Sequence, residues 1–231
     1  MINKETIEKI LSLAEIQTID YDGLQYTKDD LSIVRKPSVD CLTVKTLKSF
    51  VDYTKNTIDT LPKIMIVIES HKIVSLLSAF DEKYKQREYF IQAKYDDINF
   101  NYNHNYSSGD FIIKLQTCFI KTETISSLMK VVGNIKEESS TQVKDDGVTQ
   151  SVVAKTGIAR VEEVDLPNPV KLKPYRTFLE IDQPESLFTL RMESGHRIAL
   201  YEADGGMWKM QARESIAKYL KKELSDIQII S

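Results

Sequence analysis

Ile7, Ile10, Leu11 and Ala14 recur at helical spacing among charged neighbours, and this period predicts an amphipathic helix over 3–16. Asp22-Gly23 marks a turn, and 31–45 reads as extended and mixed. Thr46 stands where a helix cap is wanted, ahead of a second apolar stripe formed by Leu47, Phe50, Val51 and Ile58. Lys63 to Glu69 holds a continuous apolar run that is mostly β-branched, the pattern of a strand buried on both faces. Strands near 72–77 and 88–95 are expected to pair with it. Helical spacing returns over 111–133. There Phe111, Leu115 and Phe119 lie one turn apart, and Thr122 opens a run through Ile125, Leu128, Met129 and Val132. Gly133 and Asn134 supply its stop.

From about 139 the pattern changes. Alternating β-formers are cut by turn signals at Asp146-Gly147, Thr156-Gly157, Pro167-Asn168-Pro169 and Ser194-Gly195. A mainly antiparallel sheet is expected over 139–203. A closing helix follows at 207–224, with Trp208, Ala212, Ile216, Tyr219, Leu220 and Leu224 inward. This order predicts an α+β fold: a mixed helix/strand part (1–138), then an antiparallel β part with the C-terminal helix (139–231), either separate or sharing one core.

Composition narrows the class. With 8 glycines and 6 prolines in 231 residues, these two types make about 6% of the chain, half the usual share. Most of them fall after residue 140, leaving little material for a phosphate-cradling loop. Lys+Arg 31 against Asp+Glu 34 gives a net charge of −3, which creates no global field toward nucleic acid or an anionic membrane. The longest apolar run, Ile64 to Ile68, is far short of the ~20 residues of a membrane helix. Lys4, Glu5, Glu8 and Lys9 interrupt any signal-peptide core. Cys41 and Cys118 form no CxxC and suit reduced thiols. Cytoplasmic work without membrane contact is expected.

Three constellations could carry chemistry. In a strand, Phe100, Tyr102, His104 and Tyr106 would share one face and asparagines the other, an aromatic row able to stack a base or nucleotide ring. The same letters suit an aromatic core face, and the row lacks interleaved basic residues. Lys171, Lys173 and Arg176 form an acid-free cationic cluster in a proline frame, fit for a phosphate or carboxylate. A lysine-protected edge strand would read the same way. Glu202, Asp204, Gly205 and Gly206 lead into the last helix at Trp208, where the backbone can approach a ligand. With Glu180 or Asp182, the two carboxylates could also hold Mg²⁺, though Asp204 could equally serve as a turn or cap residue.

Other signals are negative. His71, His104 and His196 have no metal-ligand spacing. GxSxG, GxGxxG and GxxxxGK[ST] are absent. No cofactor is expected. The closing helix is locally basic, with Lys209, Arg213, Lys218, Lys221 and Lys222 against Glu214 and Glu223. A solvated face explains this as readily as a partner does.

The run Asp145–Gln150, Pro167-Asn168-Pro169-Val170 with Leu172, Pro174–Phe178, Glu180, Gln183-Pro184 and Glu202–Gly206 with Trp208 resembles the YfdQ-like family of phage and prophage proteins. Thr46-Leu47 and Val51-Asp52-Tyr53 fit the same pattern. The resemblance spans roughly 24–224 and is sharpest in 145–208. It implies a phage or prophage origin and work in the host cytoplasm, and it brings no functional residue with it. The function expected is that of a binding protein rather than an enzyme. It would act on a nucleotide-like ligand or single-stranded nucleic acid, or on a host protein, in host takeover, anti-defence or DNA metabolism, and as a homo-oligomer. Its expected contacts are Phe100, Tyr102, His104, Tyr106, Lys171, Lys173, Arg176, Glu202, Asp204, Gly205, Gly206 and Trp208. The alternatives are a metal-dependent phosphodiesterase or nuclease built on Glu202 and Asp204, and a phage structural or assembly protein.

Overall fold

The computed structural model describes residues 4–14, 18–27, 33–34, 38, 40–57, 63–98, 100–135, 142–145, 150–153, 168–193 and 197–231. Its elements in chain order are α1 (Lys4–Ala14), β1 (Thr18–Tyr21), β2 (Leu24–Thr27), β3 (Leu42–Val44), α2 (Leu47–Thr57), β4 (Ile64–Ser70), β5 (Ile73–Ser78), β6 (Tyr89–Lys94), β7 (Tyr106–Ser107), α3 (Ser108–Cys118), α4 (Glu123–Ile135), β8 (Gln142–Asp145), β9 (Gln150–Val153), β10 (Val170–Leu172), β11 (Ser186–Glu193), β12 (Arg197–Glu202), α5 (Met207–Glu223) and β13 (Gln228–Ile230).

α2, α3 and α4 start where a hydroxyl side chain takes one of their free N–H groups. Thr46 Oγ1 accepts from Ser49 N at 3.1 Å, Thr122 Oγ1 from Ile125 N at 3.2 Å, and Ser107 Oγ from Asp110 N at 3.1 Å. The Asp22-Gly23 turn joins β1 to β2 with both residues at positive φ.

Two helix-on-sheet layers result, which makes the architecture α+β. In the first, a sheet of order β13-β4-β5-β6-β3 is covered by α2 and α5. Its outer pairs, β13 with β4 and β3 with β6, are parallel, and its inner pairs antiparallel. Leu47, Phe50 and Val51 of α2 and Ile216 and Leu220 of α5 close over Ile66, Ile68, Val74, Leu76 and Ile91. In the second, the antiparallel sheet β10-β11-β12-β7 packs on α3 and α4. Phe111, Leu115, Ile125 and Leu128 meet Val170, Leu172, Phe188, Ile198 and Leu200 there. Each core draws on both sides of position 138. Phe178 and Ile216–Ile227 enter the first, and Phe100–Val132 enter the second. β8 and β9 form a separate antiparallel pair.

Three expectations are corrected. The run from Phe100 to Tyr106 is not a strand. Asn103 takes a left-handed φ of 59°, which breaks the two-face alternation, and only Tyr106–Ser107 pair with β12. β4 is fully buried on one face only: Ile66 and Ile68 face the helices, while Met65 and Val67 are half-covered. α4 runs through the expected stop at Gly133 and Asn134 and ends one residue later, at Ile135. Ile58, Asn99, Pro167, His196 and the turns at Asp146-Gly147, Thr156-Gly157 and Ser194-Gly195 lie outside the described residues.

Candidate functional site

The tight β4–β5 hairpin places His71 and Lys72 at the end of the first sheet, facing the second layer. His71 is held in place by its carbonyl, which accepts from Thr177 Oγ1 at 2.5 Å, and by an edge-on contact with Trp208, ring centroids 4.6 Å apart. Lys72 Nζ is paired with Asp97 at 2.6 Å.

Residues 173–177 cross between the layers. A short ladder pins them to the end of α3: Ile120 N donates to Lys173 O at 2.8 Å and Tyr175 N to Cys118 O at 2.9 Å. The buried Gln183 carboxamide then folds the next turn onto itself. Its oxygen accepts from Arg176 N at 2.9 Å, and its nitrogen donates to Phe178 O at 3.0 Å and Thr177 O at 3.2 Å. An irregular backbone can be buried only when its polar groups are answered in this way.

This frame directs the Arg176 side chain inward, where only 7% of it is exposed. One terminal nitrogen donates to Glu202 Oε1 at 2.6 Å, at the end of β12, and the other to Ser186 Oγ. The guanidinium lies 3.8 Å from the Trp208 ring centroid and 5.5 Å from that of Phe188. A planar, weakly hydrated cation suits such a stack. Arg176 Nε and Trp208 Nε1 are buried and, among the described residues, have no acceptor.

These groups surround a cleft of about 310 Å³ between the layers. Its walls are His71, Lys72, Asp97, Ile98, Phe100, Tyr102, Cys118, Pro174, Tyr175, Arg176, Glu202, Trp208 and Lys209. Phe100 and Tyr102 arrive from the turn before β7, with the Tyr102 ring stacked on Phe188, centroids 5.4 Å apart. Burial shifts the titrations. Desolvation, with Lys72 and Lys209 adding to it, pushes His71 down to about 4, so its imidazole is neutral near pH 7. Desolvation raises the Tyr102 hydroxyl and lowers Arg176, the latter against the attraction of Glu202.

Of the residues singled out in the sequence, Phe100, Tyr102, Arg176, Glu202 and Trp208 converge on this cleft. The others are placed differently. His104 is exposed against Tyr106, whose ring belongs to the second core and whose hydroxyl accepts from Asn101 N at 2.8 Å. Lys171 points to solvent beside Glu185, and Lys173 contributes its carbonyl to the ladder. Asp204 is a turn residue, its Oδ1 accepting from Gly206 N at 3.0 Å. Gly205 and Gly206, at φ 62° and 80°, turn the chain into α5. Glu180 is likewise engaged, accepting from Lys48 N at the start of α2. Among the described residues no group of three or more His, Cys, Asp or Glu side chains is arranged to hold a metal ion, and no helix is long and apolar enough to cross a membrane.

His71, Lys72, Asp97, Tyr175 and Lys209 were not among the contacts expected from the sequence. Tyr175 carried a local signal, being flanked by Pro174 and Arg176, and Lys209 stood out only as part of the basic closing helix. No protein-family model, curated protein or solved structure matches the chain.

Proposed function

We propose that this chain is a non-enzymatic binding protein whose ligand is a small nucleotide-like molecule, a planar ring bearing an anionic group. The observation that carries this reading is the interlayer cleft in which the buried Arg176–Trp208 stack meets Phe100, Tyr102 and Tyr175. Aromatic walls offer faces for a ring. Lys72, Arg176 and Lys209 outnumber Asp97 and Glu202, so the lining favours an anion. Lys209 makes no ion pair among the described residues, sits 5.8 Å from the Trp208 ring centroid, and is the cation most available to a phosphate. A volume of about 310 Å³ lies at the lower end of ligand pockets and fits one mononucleotide better than an extended strand. The resemblance of 145–208 to phage and prophage proteins supports a role in a phage-infected or lysogenic host cell. Carboxylate-based metal catalysis is disfavoured because Glu202 and Asp204 are committed to Arg176 and to the Gly206 amide.

Titration calorimetry and melting-temperature shifts against mono-, cyclic and dinucleotides test the reading. One class should raise the melting temperature by several degrees at saturating ligand, and Lys209→Glu should weaken it about tenfold or more while leaving the apo melting temperature unchanged. Absence of any shift across the panel, together with no mobility change of single-stranded DNA or RNA, would sink it.

A further inference from the structure

Charge in the interlayer cleft is arranged as two closed pairs and one open cation. Lys72 Nζ lies 2.6 and 2.7 Å from the two carboxylate oxygens of Asp97, and Arg176 donates to Glu202 Oε1 at 2.6 Å. Each pair is neutral as a unit. Lys209, in the first turn of α5, has no ion pair among the described residues. The N-terminus of α5 adds about half a positive charge. Asp204, whose carboxylate accepts from Gly206 N at 3.0 Å, offsets it. The cleft therefore offers one uncompensated positive charge to whatever enters it.

A second negative charge on a ligand would need a second cation or a proton. The wall residue able to take up that proton is His71. Facing it are Lys72 on its own hairpin, Arg176 on the crossing segment, Lys209 on α5 and, opposing these cations, Asp97 after β6. Burial first, and then the Lys72 and Lys209 charges, keep its imidazole neutral near pH 7. A dianion would leave water with part of its charge unanswered, which costs free energy that a monoanion does not lose. Arg176 Nε and Trp208 Nε1, buried donors of the same wall without an acceptor among the described residues, are left for oxygens that bring no further charge.

We propose, resting on the nucleotide-binding reading above, that the cleft selects singly charged phosphodiesters, in the form of 3′,5′-cyclic mononucleotides, over doubly charged phosphate monoesters such as 5′-mononucleotides. A phosphodiester keeps one negative charge throughout the neutral range. A monoester, whose second pKa is about 6, carries close to two at pH 7.5. Among phosphodiesters, a volume of about 310 Å³ favours the single cyclic nucleotide over a dinucleotide.

Titration calorimetry of the protein with the 3′,5′-cyclic and 5′-monophosphate forms of adenosine, guanosine, cytidine and uridine tests this. For a base that binds, the cyclic form should bind about tenfold or more tighter at pH 7.5. At pH 5.5 the gap should narrow, because the monoester then carries about one charge while the diester is unchanged. Asp97→Asn, at a half-exposed side chain, frees Lys72 as a second cation and should shift the preference toward the monoester by about tenfold. Equal or tighter binding of the monoester by the wild type at pH 7.5, or an unchanged ratio in Asp97→Asn, overturns the single-charge selection and leaves the nucleotide reading standing. Binding of neither form of any base overturns the selection as well. The nucleotide reading falls with it only if dinucleotides and single strands also fail to bind.

Discussion

The guanidinium of Arg176 lies 3.8 Å over the indole of Trp208 while one of its terminal nitrogens donates to Glu202 at 2.6 Å. The three residues come from the crossing segment, the first turn of α5 and the end of β12, so one side chain ties together the elements that frame the cleft. A buried cation that loses its stack or its carboxylate keeps its desolvation cost and loses the compensation.

Arg176→Ala removes the cation but leaves Glu202 and Ser186 without their donor and a void beside Trp208, and should lower stability by roughly 3 kcal/mol, which for a chain of this size is a melting-temperature drop of about 6–12 °C by scanning calorimetry. Arg176→Lys should recover little of it, because one ammonium cannot reach Glu202 and Ser186 while also stacking on the indole. Recovery of most of the loss by lysine would show that charge alone is needed there.

Gln183 predicts a second, separable effect. Its carboxamide answers the backbone of Arg176, Thr177 and Phe178 in a buried turn. Gln183→Ala leaves those groups unanswered and should cost roughly 2–4 kcal/mol. Gln183→Glu should be no better, since a carboxylate cannot donate to the Thr177 and Phe178 carbonyls. Urea unfolding of the two variants measures this. Near-wild-type stability of Gln183→Glu would mean that only the accepting half of the amide matters.

His71 gives stability a pH dependence whose sign follows from its burial. In the folded chain it titrates at about 4, against about 6.5 when unfolded. Between those values the unfolded state binds the extra proton, so stability contributed by His71 falls as pH drops from about 6.5 toward 4 and is flat above. Melting temperatures of wild type and His71→Asn should then diverge less at pH 5 than at pH 7, as the histidine's advantage is lost. A difference constant across that range would contradict the burial of a neutral imidazole.

Two glycines should respond with opposite signs. Gly206 has a φ of 80° at the entry to α5, although an added Cβ would meet nothing closer than Lys209 Cδ at 3.9 Å. Gly206→Ala should cost about 1 kcal/mol for conformational reasons alone. Gly133 lies within α4 with open space around it and no positive φ. Gly133→Ala should add about 0.5 kcal/mol by stiffening the unfolded chain and favouring helix. Paired thermal unfolding of the two variants reads both signs.

Local order was legible in the sequence because its causes are local. Apolar period placed α1, α2, α3 and α4 and strands β4 to β6. Thr46 and Thr122 marked helix starts through hydroxyls that reach only to the next turn. The same logic failed from Phe100 to Tyr106, where strict alternation suggested a strand. The aromatic rings instead fill a core from a turn, because packing against Phe111, Phe119 and Phe188 outweighs the two-residue period.

By itself, the sequence determined the element types, the α+β class, and the residue types that make the cleft chemically distinctive, Arg176, Glu202 and Trp208 among them. Tertiary structure alone decided that these three meet. It also decided that His71, Lys72 and Lys209 join them while Lys171, His104 and Asp204 do not. The reason is distance along the chain. His71 and Trp208 touch across 136 intervening positions only because β13, from the C-terminus, pairs beside β4 and carries α5 onto the first sheet. No local pattern encodes that closure; it is set by the burial of the two cores together.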